Sequence, residues 1–140
     1  MKSLLCPEPH TLKMSEIPEP HLTSEGTIKV KIRRVGICGT DFHIFEGLHP
    51  FLHYPRVMGH ELSGEVWETN AGSRFKHGDK VIINPYLPCG KCIACTKGKP
   101  NCCSNIKVLG VHADGGMCEF LVLPEAALYP AHNLSFDQAA

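Results

Sequence analysis

The sequence predicts a mainly β protein with a single domain. Glycine (13 residues) and proline (11 residues) are more frequent in its 140 residues than in an average composition. They separate short apolar runs at the spacing that is typical of all-β domains. A domain of this length buries about 68–70% of the surface that its unfolded chain exposes, so we expect one hydrophobic core for residues 1–140.

The clearest predicted strand is residues 27–35, in which Ile28, Val30 and Ile32 alternate with other side chains, most of them basic. Alternation with a period of two is typical of a half-buried strand, so we expect an aliphatic inner face. Four other apolar runs are also predicted to be strands, because Gly, Pro, Asn or Asp bounds each of them. These runs are residues 61–68, 80–84, 108–111 and 117–123.

Two short helices are predicted. Residues 40–46 begin with a hydroxyl and a carboxylate that can cap a helix, and Gly47 is placed to end it after about two turns. Close to the last residue, Ser135 can cap a second helix whose first turn contains Asp137 and Gln138. The printed sequence ends within this second helix.

Charge and hydropathy exclude several classes of partner. The chain has 14 basic and 14 acidic residues, and the basic residues form no run beyond Arg33-Arg34, so neither nucleic acid nor an anionic membrane is an expected partner. Prolines interrupt the first ten residues, which argues against a secretory signal, and no apolar stretch approaches the ~18–20 residues that span a bilayer. We therefore expect a cytoplasmic protein.

Five of the eight cysteines fall in the stretch PCGKCIACTKGKPNCC, namely Cys89, Cys92, Cys95, Cys102 and Cys103. The first three are each separated by two residues, a spacing that lets successive sulfurs surround one ion. Four thiolates at about 2.3 Å complete the tetrahedron of a Zn²⁺ ion and leave no position open for a substrate. The loop therefore predicts a zinc ion with a structural role.

Two other interpretations of this loop are disfavoured. Disulfides are rare in a reducing compartment, and the usual iron–sulfur run needs a fourth cysteine after three residues and then a proline. Spacing leaves Cys102 and Cys103 as alternative candidates for the fourth ligand. Cys6 and Cys118 stand apart from the loop and are predicted to be buried small hydrophobic residues.

A second group of ligand types combines Cys38, in the stretch GICGTDFH, with His60 and Glu61 in MGHE. Cysteine, histidine and carboxylate are ligands of catalytic zinc, which keeps one coordination position open. Asp41 could accept the other ring N–H of His60 and fix the tautomer of the imidazole. The competing interpretation is that Cys38 is a buried core residue, because a single cysteine beside a glycine is weak evidence for a metal ligand.

Thr40 and His43 follow Cys38 by two and five residues on the same predicted helix. Their hydroxyl and imidazole would then lie beside the metal, where together they could pass a proton. The sequence contains neither a G-x-G-x-x-G motif nor a P-loop, so these residues offer no usual site for the phosphates of a nucleotide cofactor.

Four stretches together resemble the N-terminal region of the zinc-dependent medium-chain alcohol dehydrogenases, in order and in spacing. They are GICGTDFH, YPRVMGHELSGEV, GDKVIINPYLPCGKCIACTKGKPNCC and GVHADGGMCEFLVLP. The subgroup that they resemble most contains sorbitol, threonine and sugar-acid dehydrogenases. The resemblance covers essentially all 140 residues. It implies a GroES-like catalytic domain, which is a partly open β-barrel with short helices and a zinc-binding loop.

The resemblance also implies roles for single residues. Cys38 and His60 match the catalytic zinc ligands, and Glu61 matches the adjacent carboxylate, which is a direct, water-mediated or transient ligand. Thr40 and His43 match a proton relay that includes the cofactor ribose, so they are also implied to contact the cofactor. The structural zinc ligands match Cys89, Cys92, Cys95 and Cys103.

The implied activity is oxidation of a secondary alcohol of a polyol, sugar acid or hydroxy amino acid, with hydride transfer to NAD(P) and one catalytic and one structural zinc. Enzymes of this family are more than twice as long, are expected to form homo-oligomers, and carry a Rossmann domain after this region. We therefore expect the chain to be a fragment or a truncated gene product that does not turn over alone. The alternative is a stand-alone zinc-stabilised domain for binding or assembly.

Three further features have structural interpretations. Residues 114–116, with the sequence Asp-Gly-Gly, are interpreted as a tight turn between two strands. Trp67 and Phe120 lie on predicted strands and are interpreted as core or interface residues. Residues 49–54 are rich in aromatic and histidine side chains and are predicted to line the substrate pocket.

Overall fold

The computed structural model describes residues 1–22 and 24–140, and its architecture is mainly β, as the sequence predicts. The strands of the described residues are β1 (Lys2–Cys6), β2 (Lys13–Glu16), β3 (Thr27–Gly36), β4 (Arg56–Val57), β5 (Glu61–Thr69), β6 (Lys80–Ile83), β7 (Tyr86–Leu87), β8 (Lys107–Val108), β9 (Phe120–Pro124) and β10 (Leu128–Pro130). The helices are α1 (Gly39–Phe45), α2 (Ile93–Thr96) and α3 (Phe136–Ala139), with 3₁₀ turns at Pro100–Cys102 and Glu125–Ala127.

The centre of the molecule is a five-stranded antiparallel sheet in the order β10-β6-β5-β3-β9. One face of this sheet carries the main hydrophobic core, to which β3 contributes Ile28 and Val30 and β5 contributes Leu62 and Val66. A second sheet, β2-β1-β4, and the pair β7-β8 are separate from the central sheet, which does not close into a barrel in the described residues. This arrangement agrees with a partly open barrel.

Three of the predicted strands are confirmed as β3, β5 and β6. The prediction for residues 108–111 is wrong beyond Val108, because the chain leaves the strand at Leu109 and Gly110 has a left-handed φ of +74°. The prediction for residues 117–123 begins too early. Met117 bonds instead to Leu4 of β1 through its carbonyl and to Met58 through its amide.

The interpretation of residues 114–116 as a tight turn between two strands is wrong, because the flanking strands β8 and β9 pair with other strands and the segment makes other contacts. The amide of Gly115 donates to the carbonyl of Val57 (2.7 Å), and the amide of Gly116 donates to the carbonyl of Gly59 (2.9 Å). This segment therefore packs along the chain that leads into His60. Such a contact joins residues that are far apart in sequence, and no local pattern marks it.

Both predicted helices are confirmed. α1 begins after Cys38, and the amide of Gly47, which has a φ of +77°, donates to the carbonyl of Ile44 where the helix ends. At α3 the Ser135 hydroxyl accepts from the amide of Gln138 (3.2 Å), and the Gln138 side chain accepts from the amide of Ser135 (3.0 Å). None of the helices in the described residues has the length and apolar character to cross a bilayer.

Several predicted core residues have the expected environment. Cys6 is fully buried, and burial raises the pKa of the partly buried Cys118 to about 11, so both thiols are neutral near pH 7. Phe120 is buried at 8% exposure, whereas Trp67 is 38% exposed, and their ring centroids lie 5.6 Å apart. Phe120 thus belongs to the interior and Trp67 covers it from the solvent side.

Candidate functional site

Four sulfur atoms converge in the loop that follows β7. They belong to Cys89, Cys92, Cys95 and Cys103 and all lie within 4.8 Å of one another. Ligands at about 2.3 Å from a tetrahedral ion are about 3.8 Å apart, so this donor set fits one zinc ion. Cys103 is 7% exposed, whereas Cys102 is exposed and lies outside the group. The structure therefore brings together the four cysteines that the family resemblance implies.

Local backbone structure positions these four thiols. Cys92 caps α2 and Cys95 lies three residues further on, so both side chains are on the same side of the helix, with sulfurs 3.5 Å apart. Gly90 and Gly98 have φ values of +73° and +71°, which glycine adopts without a steric penalty. Cys103 follows a 3₁₀ turn, and its sulfur accepts from the amide of Cys89 at 3.3 Å.

Backbone amides and burial give the thiols different charge states. Hydrogen bonds from the amides of Cys95 and Ser104 lower the pKa of Cys92 to about 5, so this ligand is a thiolate at neutral pH. The amides of Lys91 and Cys92 also lower the pKa of Cys89. Loss of hydration raises the pKa of Cys95 to about 12, so its proton must leave when a cation binds.

The second cluster lies where β3 and β5 come together. Gly36 pairs with Glu61 in this antiparallel register, which places Cys38, two residues after β3, beside His60, one residue before β5. The sulfur of Cys38 and Nε2 of His60 are 3.2 Å apart. Ligands of one tetrahedral zinc, with Zn–S about 2.3 Å and Zn–N about 2.0–2.1 Å, would be about 3.5 Å apart.

Asp41 supports this pair from the first turn of α1 and is 2% exposed. Its Oδ2 accepts from the amide of Cys38 at 3.0 Å, and its Oδ1 lies 3.7 Å from Nδ1 of His60. Both Oδ1 and Nδ1 are buried and have no hydrogen-bond partner within the described residues. The two atoms face each other beyond hydrogen-bond range, so the sequence-based hydrogen bond remains a prediction.

The donor set and these buried atoms fit a metal ion. Cys38, Asp41 and His60 each offer a ligand atom within 4.8 Å of the other two. If Nε2 of His60 binds the ion, its ring carries the proton on Nδ1, which is the atom that faces the Asp41 carboxylate. In that arrangement Asp41 supports the ring, and Cys38 and His60 alone leave positions of a tetrahedral zinc open, in contrast to the closed tetrathiolate loop.

The other predicted site residues lie around this cluster. Glu61 is exposed at the start of β5 and is not one of the three clustered donors. Its side chain lies over Gly36, where a Cβ atom would be 2.6 Å from the Glu61 carboxylate. Thr40 is half-buried near the start of α1, and His43 is exposed in the last turn of that helix. Their roles in a proton relay remain predictions.

Exposed apolar side chains accompany α1. Four are 60–67% exposed, namely Ile37, Phe42, Leu48 and Phe51. That residues 49–54 line a substrate pocket remains a prediction. Ile37 and Phe42, which that prediction does not include, directly flank metal-ligating residue types. His49 is half-buried, and this burial is the main cause that lowers its pKa. The neighbouring imidazoles of His112, His43 and His60 lower it further, so the ring is neutral at pH 7.

Several known proteins are similar to this chain in sequence and in structure. The family described as "Alcohol dehydrogenase GroES-like domain" matches residues 24–133. L-galactonate-5-dehydrogenase of Escherichia coli (strain K12) is 43% identical over 100% of this chain, which covers 41% of that protein. An uncharacterized zinc-type alcohol dehydrogenase-like protein of Haemophilus influenzae is 37% identical over 96% of this chain, which covers 38% of that protein.

A solved structure shows the same similarity. The short chain alcohol dehydrogenase rspB of Escherichia coli CFT073, in complex with the cofactor NADH, superimposes with a TM-score of 0.84 at 39% identity. The match covers 99% of this chain and 41% of that structure. The chain therefore spans about two fifths of the length of the relatives that it matches.

Proposed function

This chain belongs to the alcohol dehydrogenase GroES-like domain family, and on this premise we propose that it forms the metal-binding part of a zinc-dependent, NAD(P)-dependent oxidoreductase. The proposed reaction oxidises a secondary alcohol of a polyol, sugar acid or hydroxy amino acid. The observation that carries the proposal is the pair of clusters, one of four thiols and the other of Cys38, Asp41 and His60. The second cluster would leave a coordination position for substrate.

The residues would divide the work between two zinc sites. Cys89, Cys92, Cys95 and Cys103 would hold a structural ion. Cys38 and His60 would hold the catalytic ion, with Asp41 or Glu61 as the nearby carboxylate. A zinc ion bound there supplies a Lewis acid that lowers the pKa of the substrate hydroxyl. Asp41 keeps the pair aligned, because it accepts from the amide of Cys38 and faces the ring of His60.

Thr40 and His43 would move the proton that the substrate hydroxyl loses. Thr40 is half-buried two residues after Cys38, where its hydroxyl can accept this proton. His43 is exposed at the other end of α1, where its imidazole can release a proton to solvent. The two residues are also the proposed contacts of this chain with NAD(P), which would take the hydride.

The wider context of the enzyme is part of the proposal. We place it in the cytoplasm and expect a homo-oligomer, and its partner is a small alcohol. The alternative, a stand-alone zinc-stabilised binding or assembly domain, is not favoured, because relatives of this chain such as L-galactonate-5-dehydrogenase are dehydrogenases.

A domain exchange tests the proposal. This chain replaces the matching 41% of L-galactonate-5-dehydrogenase of Escherichia coli (strain K12), and reduction of NAD and NADP is followed with polyols, sugar acids and L-threonine. We expect reduced cofactor with at least one of these classes and none in the Cys38→Ser version. The 140-residue chain alone is the control and should not turn over, because it has no G-x-G-x-x-G motif.

One outcome would contradict the proposal directly. The exchanged protein could contain zinc at both sites and bind NADH, which would show that both parts are folded, and still reduce no cofactor with any class of alcohol. Activity that survives Cys38→Ser would contradict the assigned site.

A further inference from the structure

Residues 114–117, which we call the supporting segment, lie against the chain that leads into His60. Three consecutive amides of this segment donate to the three carbonyls immediately before His60. The pairs are Gly115 N to Val57 O (2.7 Å), Gly116 N to Gly59 O (2.9 Å) and Met117 N to Met58 O (2.9 Å). The carbonyls before His60 are therefore all held by one short stretch that follows them by more than fifty residues.

The approach between the two segments is so close that only glycine fits. A Cβ atom on Gly115 would lie 2.2 Å from the carbonyl oxygen of Gly59, and one on Gly116 would lie 2.3 Å from Leu62. Contacts under 3.0 Å force neighbouring atoms to move. Gly115 thus allows direct backbone contact with the chain before His60, and Gly116 leaves room for the side chain of Leu62.

Asp114, the first residue of the supporting segment, also bonds to the chain before His60. One carboxylate oxygen, Oδ1, accepts from the amide of Val57 at 3.1 Å and from Nη1 of Arg56 at 3.2 Å. Hydrogen bonds to an ionised acceptor are stronger than neutral ones. The same side chain therefore fixes both residues of β4, and Val57 is the first of the three residues whose carbonyls are bonded.

We infer that Asp114 is a positioning residue for the cluster of Cys38 and His60, because its carboxylate fixes the backbone that aims Nε2 of His60 at the Cys38 sulfur. The separation of those two atoms is 3.2 Å, so a small displacement of the backbone before His60 alters the geometry offered to an ion. Asp114 acts through Val57 and does not itself belong to the donor group. The inference rests on the proposed metal binding at this cluster.

Cobalt binding to the 140-residue chain tests the inference. Co²⁺ is titrated into the metal-free wild type, Asp114→Ala and Asp114→Asn, and the absorption of Cys38→Ser, which retains only the tetrathiolate, separates the two sites. We expect Asp114→Ala to weaken Co²⁺ binding at the Cys38 and His60 cluster about 10–100-fold and to change its spectrum. Asp114→Asn should recover most of the affinity, because its amide oxygen can still accept from Val57.

A matched variant separates positioning from general loss of stability. In Asp79→Ala the chain loses a similar bond, from the amide of Lys76 to the Asp79 carboxylate (2.9 Å), in a turn that does not contact His60 in the structure. We expect this variant to bind Co²⁺ like the wild type at both sites. If Asp114→Ala lacks the tetrathiolate spectrum and so has not folded, Asp114→Glu replaces it, with the same expected loss.

The outcomes distinguish the inference from the proposed function. A wild-type chain that binds Co²⁺ only at the tetrathiolate contradicts the proposed catalytic site and the inference with it. A wild-type chain that binds at both sites, with an Asp114→Ala variant of equal affinity and spectrum, contradicts the inference alone. Equal losses in Asp114→Ala and Asp79→Ala contradict it as well, because they would reflect stability.

Discussion

Two adjacent cysteines have opposite environments in the tetrathiolate loop. Cys103 is 7% exposed and contributes its sulfur to the cluster, whereas Cys102 is exposed at the end of a 3₁₀ turn. Because an unfolded chain has no preformed site, the free energy of zinc binding adds to the free energy of folding. The thiol of Cys103 should therefore contribute to stability through zinc binding, whereas the thiol of the adjacent Cys102 should not.

The first prediction concerns these thiols. Cys89→Ser should lose one zinc ion per chain and lower the free energy of unfolding by several kcal/mol, since it breaks the closed ligand set. Cys102→Ser, the matched control, should keep the ion and change stability by no more than about 0.5 kcal/mol. Metal analysis and denaturant unfolding measure both. Cys38→Ser should leave folding nearly intact. A larger loss of stability in Cys38→Ser than in Cys89→Ser would mean that the structural and catalytic sites have been exchanged.

A buried lysine gives a second prediction at this scale. Lys29 of β3 is 4% exposed, and its ammonium donates to Glu19 at 2.5 Å. This hydrogen bond lowers the pKa of Glu19 below its ordinary value of 4.5. Because the pKa is lower in the folded chain, the pair stabilises folding above about pH 4.5, and that contribution is lost as the pH falls through the folded value.

Glu19→Gln should therefore lower the free energy of unfolding at pH 7, where it leaves the Lys29 ammonium buried without its carboxylate. The difference from the wild type should disappear at a pH below the folded pKa of Glu19. Denaturant unfolding at both pH values measures it, with Glu25→Gln, an exposed position, as the control. A difference that stays constant with pH would show that the ion pair is not its cause.

At the scale of secondary-structure elements, the pairing of β3 with β5 determines where the second cluster forms. This pairing contains two register shifts, one of which lies beside Gly64 and its partner Ile32. A Cβ atom on Gly64 would lie 2.4 Å from the Val30 side chain and 2.8 Å from the carbonyl oxygen of Lys31. The two strands therefore approach each other at a point that excludes any side chain.

The third prediction compares two glycines. Gly64→Ala should lower the free energy of unfolding by about 1–3 kcal/mol, because the added methyl group overpacks the contact with β3. Gly39→Ala, at the first position of α1, meets nothing within 4 Å and should leave stability unchanged or raise it by up to about 1 kcal/mol. Thermal unfolding of the zinc-saturated variants measures both, and equal effects would contradict the packing argument.

Local signals explain which elements the sequence predicts well. β3, β5 and α1 follow from alternation and capping, which involve neighbouring residues only. The sequence does not predict β1, because this strand forms through partners that are distant in sequence, such as Cys118, which pairs with Ser3. Spacing predicts a shared ion in the cysteine loop but leaves its fourth ligand open, and the family resemblance implies Cys103, Cys38 and His60. The role of Asp114 arises only when the fold brings it to Val57.

At the scale of the whole molecule, the two clusters differ in how completely the protein surrounds an ion. The loop offers four thiols, enough to complete a tetrahedron, whereas the cluster of Cys38 and His60 offers fewer donors. An ion with a free coordination position is more accessible to a competing chelator. The two ions should therefore leave the protein in a fixed order.

The fourth prediction concerns this order. A mild chelator should first remove the ion held by Cys38 and His60, with no change in the far-ultraviolet circular dichroism. A stronger chelator should then remove the tetrathiolate ion, with loss of structure and stability. A metal-sensitive dye and circular dichroism follow the two steps. Release of the tetrathiolate ion first, or unfolding together with the first ion, would contradict the assignment of the sites.

The register of β3 and β5 also bears on how substrate selectivity can change among related proteins. Cys38 and His60 are 22 residues apart in sequence, and each is fixed by its own strand end. The intervening chain carries Phe42, Leu48 and Phe51, which are exposed and outside the core. We expect these three exposed side chains to tolerate substitution among homologous enzymes, so that alcohol preferences can change while Asp41 and the backbone before His60 stay unchanged.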